Sequence, residues 1–157
     1  MIFSEITKLR KTLILYAPLF LWIGVIFYLS SPEGSFGQTS RFIGPLLDFF
    51  FPGMLPETRI TVHAFVRKAA HFTEYAVLAF LAVRAFAVST LHLLREKLFL
   101  FALILVALIA SLDEFNQSFE ASRSGSIWDV LLDISGGLVM TVTLWLFRRR
   151  FLPVADR

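Results

Sequence analysis

Residues 67–81 read RKAAHFTEYAVLAFL, so that Arg67, Lys68, His71 and Glu74 stand at the mouth of a run otherwise apolar enough to enter a bilayer. Ionisable groups at the edge of hydrocarbon are costly, and a chain that brings four of them there must either keep them solvated or give them partners on other helices. Composition fixes the setting. The chain has 157 residues, 57% of them hydrophobic and 18 of them Phe. Its mean hydropathy is +0.72, far beyond what one soluble core requires. It reads as an integral membrane protein. Cysteine is absent, which excludes a disulfide framework, a thiolate metal centre and a thiol nucleophile. The net charge of +3 does not point to nucleic acid, because the basic residues sit in short clusters beside apolar runs, where they set topology.

Working outward from residues 67–81, four apolar runs mark an all-α membrane protein, a four-transmembrane-helix bundle with spans at about 12–30, 66–88, 97–119 and 127–147. The chain leaves no room for a second domain, so residues 1–157 are expected to form one. The first run follows Lys8, Arg10 and Lys11 and has no small-residue cleavage site after it, which predicts a retained anchor. Lys8, Arg10 and Lys11, then Arg95 and Lys97, then Arg148, Arg149 and Arg150 fall on one side of a four-span chain. By the positive-inside rule both termini face the cytoplasm of an inner membrane. Residues 31–66 and 113–126 then lie outside. Within the first of these, Phe42 to Leu55 is rich in bulky apolar residues and is expected to lie on the bilayer as an outer-face interfacial segment between the first and second spans. Pro56 is placed to start a helix that continues into the second span, with His63, Arg67 and His71 four apart on one face and Glu74 a turn deeper.

The other spans bring their own polar groups to the same end. The uninterrupted apolar part of the third run, Leu98 to Leu112, is about 22 Å of helix against a hydrocarbon core of about 30 Å, so Asp113 and Glu114 belong below the surface. Gln117 stands four residues after Asp113, and the helix is expected to run on to about Glu120. Arg123 to Ser126 form a turn, with Ser126 positioned to cap the last helix. That helix carries Asp129 and Asp133 four apart, then Gly136 and Gly137, which permit close helix approach. An aspartate facing lipid at helix centre costs about 3 kcal/mol on insertion scales, so both should face the bundle.

These residues resemble the VanZ-like membrane proteins. The likeness rests on K-x-x-H-F-x-E-Y at Lys68, His71, Phe72, Glu74 and Tyr75, on D-E-x-x-Q-x-F with a following arginine at Asp113, Glu114, Gln117, Phe119 and Arg123, and on Asp129, Asp133 and Gly136 in the last span. Ser30, Ser31 and the apolar surface loop extend it over nearly the whole chain. Asp133 stands where the family pattern commonly has asparagine, so either a base such as Arg67, Lys68 or Arg123 offsets it or it stays protonated. The resemblance implies a cell-envelope protein related to those that lower susceptibility to teicoplanin.

Four readings of the polar residues stay open. They serve as interhelical glue, although five or six acids against three or four bases exceed what helix register needs. Alternatively they form a catalytic set: His71 as base beside Glu74, with Asp113, Glu114 and Asp129 as further acid–base candidates, and Arg67, Lys68, Gln117, Arg123 and Asp133 as binding groups for a lipid-linked phosphate. A metal is the third reading, since His71, Glu74, Asp113, Glu114 and Asp129 offer one nitrogen and several oxygens suited to Mg, Mn or Zn. With one deep histidine, no H-x-x-x-H pair and bases competing for the carboxylates, no metal ligand is assigned, and the residues name no cofactor. The fourth reading is a non-enzymatic protein that binds or shields a membrane lipid or lipoglycopeptide. His63, in the outer loop and as easily solvated as not, and His92, at the opposite interface, are left out of the site. An oligomer is compatible with the sequence; transport by four spans would require one.

Overall fold

A computed structural model describes residues 2–31, 36–119 and 126–148 of the chain. Among these residues there are helices and no strand. The elements are α1 (Ile2–Leu29), α2 (Phe36–Phe50), α3 (Pro56–Ala87), α4 (His92–Glu96), α5 (Leu98–Gln117) and α6 (Ile127–Leu146). Three of them, α3, α5 and α6, are long and apolar enough to cross a membrane, and the apolar Leu13–Leu29 part of α1 is shorter. The expected segments thus appear as helices, while a fourth span is not established by length.

Helix α3 is the centre of the molecule, packing most extensively on α6, then on α5 and α1. Proline at its first turn, where no backbone N–H is needed, and Glu57 beside the positive end of the helix dipole account for its start. Its 32 residues make about 48 Å, well beyond a hydrocarbon thickness of about 30 Å. Small residues on α3 and α5, among them Ala79, Ala82 and Ala102, are fully buried and bring the helices close, with Tyr75, Leu78, Val83, Val106 and Ile26 filling the space between. The outward surfaces are apolar as well: Phe20, Leu21, Phe65, Leu100, Ile104, Leu108, Val139 and Trp145 are exposed. A helical bundle that is oily on both its inner and outer surfaces suits a lipid surrounding.

The glycine pair in α6 works on two neighbours. A Cβ on Gly136 would collide with the backbone carbonyl of Phe72 in α3, and one on Gly137 would come within 2.6 Å of Val106 Cγ1 in α5. Ser126 caps α6 as expected, accepting a bond from Trp128 N. The end of α5 departs from the expectation. It stops at Gln117 instead of running on to Glu120, because Ser118 turns its hydroxyl onto the Phe115 carbonyl at 2.6 Å and its N–H is shared between Glu114 and Phe115, which tightens the last turn. Glu120 and the turn at 123–125 lie outside the described residues.

The interfacial segment between the first two runs is a helix. α2 exposes Leu46, Phe49 and Phe50, and the turn that follows exposes Phe51 and Leu55. The turn reverses the chain at Gly53, whose φ of +95° is open to glycine and strained for other residues. Arg59 near the start of α3 is ion-paired with Asp48 of α2, and His63 is 4% exposed with Ser40 Oγ 3.2 Å from its Nδ1. His63 is therefore a helix residue covered by α2 and not a solvated loop residue.

Candidate functional site

The C-terminal end of α1, the middle of α3, the C-terminal end of α5 and the first two turns of α6 meet at one end of the bundle. Asp113 is at the centre and fully buried. Its Oδ2 accepts hydrogen bonds from Ser30 Oγ at 2.8 Å, Gln117 Nε2 at 3.0 Å and Tyr75 Oη at 3.3 Å. Gln117 Nε2 also donates to Ser30 Oγ at 3.3 Å. Donors from three separate stretches of chain thus converge on a single oxygen. The other oxygen, Oδ1, accepts none among the described residues.

Asp133 enters from α6. Six residues past Ile127, it lies about 9 Å along the helix axis and is 1% exposed, with neither carboxylate oxygen in a hydrogen bond among the described residues. Its nearest polar neighbour is His71 of α3, whose Nδ1 is 3.6 Å from Asp133 Oδ1, too long for a good hydrogen bond but close enough for an ion pair when the ring is charged. His71, Asp113 and Asp133 each present a donor atom within 4.8 Å of the others.

Around this interior set lies a rim whose charges are engaged differently. Lys68 Nζ reaches Asp129 Oδ1 at 3.2 Å, with side chains 62% and 37% exposed, and so ties α3 to α6 in the open. Glu114 turns to the start of α6, where it accepts a hydrogen bond from the Ser126 N–H. Glu74 and Arg67 are half-buried on α3, and the Glu74 carbonyl accepts from Trp22 Nε1 at 2.9 Å, joining α1 to α3. Arg67 makes no ion pair among the described residues.

Of the residues singled out in the sequence, His71, Asp113, Gln117 and Asp133 come together in the interior, and Lys68 pairs with Asp129 above them. Glu114 faces away toward the α6 cap, and Arg123 lies outside the described residues. Two members, Ser30 and Tyr75, were named in the sequence only as part of the family resemblance and not as site residues. Tyr75 stands four residues after His71, one turn deeper on the same helix face, a spacing that was there to be read. For Ser30 the resemblance was the only signal, because its partner is 83 residues away and no spacing links them.

Among the described residues, helices with apolar outer faces and a polar cluster between them define a helical membrane protein. Comparison with known families agrees: the VanZ/LLP1 family matches residues 13–148. The chain belongs to the VanZ/LLP1 family. No curated protein and no solved structure matches it.

Proposed function

We propose that this protein sits in the cytoplasmic membrane as a four-span bundle, α1 included, with both termini inside, and acts on the phosphate headgroup of an envelope lipid in the outer half of the bilayer. The observation that carries this reading is Arg67: half-buried on α3, one turn above His71, and free of any carboxylate partner among the described residues. A guanidinium is a planar fork of donors matched to phosphate oxygens. Lys68 beside it is exposed enough to exchange Asp129 for a headgroup. Phe49, Phe50 and Phe51 line an interfacial surface nearby in the chain on which an acyl chain can lie. Many of the cluster's contacts are plainly structural, namely Lys68–Asp129, Glu114 with Ser126 and the three donors on Asp113. Structural hydrogen bonding does not account for His71 Nδ1 and the two Asp133 oxygens, which have no hydrogen-bond partner among the described residues and meet only as a 3.6 Å contact.

The α2 surface favours a second reading, in which the protein holds a lipid or a lipoglycopeptide tail without breaking a bond; the family's link to teicoplanin tolerance fits this form. One experiment addresses both. Native mass spectrometry of the protein from mild detergent is compared with Arg67→Ala, Lys68→Ala and Glu74→Gln variants of matched folding. A phosphate-bearing lipid that co-purifies with the parent and is depleted at least about tenfold by Arg67→Ala, a loss of one charge-assisted contact, supports the headgroup site. The same lipids on all four samples would sink it. Retained lipid with lost turnover in Glu74→Gln points to catalysis, and retained lipid with no turnover in the parent points to the binder.

A further inference from the structure

Four potential ligand atoms of the interior cluster are used by no hydrogen bond among the described residues. Asp133 is 1% exposed with both carboxylate oxygens unpartnered, Asp113 is wholly buried with Oδ1 unpartnered, and His71 Nδ1 is buried and unpartnered. Burying a carboxylate with no donor on it is among the costliest arrangements in a protein interior. Asp133 is such a carboxylate, and it shares one small space with the half-satisfied Asp113 and the His71 imidazole, one ligand atom of each lying within 4.8 Å of the others. A shared occupant that is positively charged, compact and able to accept lone pairs from all three would remove the cost. We propose that His71, Asp113 and Asp133 bind a divalent metal cation of the Zn²⁺ or Mn²⁺ type.

The donor set selects that class. One imidazole nitrogen and two carboxylates suit zinc with an open position, or manganese, whereas calcium takes six to eight oxygens and magnesium prefers oxygen and retained water. Zinc–nitrogen and zinc–oxygen bonds of about 2.0–2.2 Å place neighbouring donors about 3–3.5 Å apart. The three donors already lie within 4.8 Å of one another, a gap that small rotations of the carboxylates close. Ser30, Tyr75 and Gln117 fix the direction of the Asp113 carboxylate by holding Oδ2 and leave Oδ1 unpartnered, as partners behind a metal ligand do. Among the described residues neither nearby base is paired with these carboxylates: Lys68 is out at the rim on Asp129, and Arg67 makes no ion pair with Asp113 or Asp133. The sequence had offered Glu74, Glu114 and Asp129 as oxygen donors beside His71 and Asp113; the fold brings in Asp133 instead.

The cation site rests on the geometry of these three side chains and not on the lipid reading, though a bound cation would relieve the repulsion between the buried acids and a phosphate at Arg67. The test uses tag-free protein in detergent, stripped with chelator and equilibrated with Zn²⁺ or Mn²⁺ alone, with retained metal measured by elemental mass spectrometry. About one ion per chain is expected in the parent. Asp133→Asn and His71→Gln should each weaken binding at least about tenfold, while Lys68→Ala leaves it within about twofold, consistent with a charge outside the ligand set. His71 is only half-buried, so its variant reads the site even where Asp133→Asn does not fold. Visible absorption of Co²⁺ in the parent, absent from His71→Gln, gives the ligation independently. A parent that holds no metal, or variants that hold it as tightly as the parent, overturns the proposal. A lipid phosphate bound by metal-free protein through Arg67 would leave the headgroup reading standing and remove only this one.

Discussion

Asp113 owes its position to three hydroxyl and amide donors of unequal quality. The Ser30 hydroxyl is at 2.8 Å and that of Tyr75 at 3.3 Å, and hydrogen-bond strength falls steeply over that range. Ser30→Ala is therefore expected to destabilise the protein by about 1–2 kcal/mol and Tyr75→Phe by about 0.5 kcal/mol, within the range found for polar contacts in membrane interiors. Reversible unfolding in mixed detergent micelles measures both, and an equal or inverted order would mean the donors do not rank by distance. Lys68→Ala belongs at the same scale: its pair with Asp129 is open to the surroundings, so its loss should change stability by less than about 1 kcal/mol. The residues of this site were largely legible in advance, because an acid or base inside an apolar run has few innocent explanations. Which atoms touch was not legible. Whether His71 meets Asp113, Asp133 or Asp129 depends on the rotation of α3 and α6 about their axes, and a spacing of four residues places Asp129 and Asp133 on the same stripe without saying which of the two goes deep.

Among the elements, α6 is held by what its glycines lack. Gly136 faces the rigid backbone carbonyl of Phe72, and Gly137 faces the side chain of Val106. Only the second neighbour can rotate aside. Gly136→Ala should therefore cost about 2–3 kcal/mol or more and Gly137→Ala about 1 kcal/mol, the penalties of overpacking with and without relief. The same unfolding assay distinguishes them, and a harmless Gly136→Ala would show that α3 and α6 do not approach so closely. Helix α2 is attached more lightly. Asp48→Asn removes an ion pair between partly exposed side chains and should leave global unfolding within about 1 kcal/mol. Backbone hydrogen exchange of α2 should nonetheless speed up while that of α3 stays fixed. The apolar character of residues 42–55 was evident from the sequence, but their helical form was not, because Pro45, Pro52 and Gly53 read as breakers. Pro45 is accommodated inside α2 and Gly53 falls in the turn beyond it.

Across the whole molecule, the absence of native cysteine makes topology directly testable. Glu57 at the start of α3 and Arg95 in α4 are both exposed and stand at opposite ends of the bundle. In intact cells Glu57→Cys is expected to react with a membrane-impermeant maleimide and Arg95→Cys only after permeabilisation. The reverse pattern would move the polar site to the inner half and withdraw the outer-lipid proposal.

The pairing of His71 with Asp133 has a consequence for how the protein is made. The ribosome delivers α3 before α6, and Asp133 enters the translocon on a helix whose first turn carries a second acid, Asp129; an aspartate costs about 2.5–3.5 kcal/mol at the centre of a helix and less toward its end, where these two stand. The final helix can partition laterally at low cost only if α3 has stayed at the exit with His71 turned toward it. Changes at His71 should therefore appear in living cells first as chains degraded during biogenesis, ahead of any loss of stability measurable in molecules that matured.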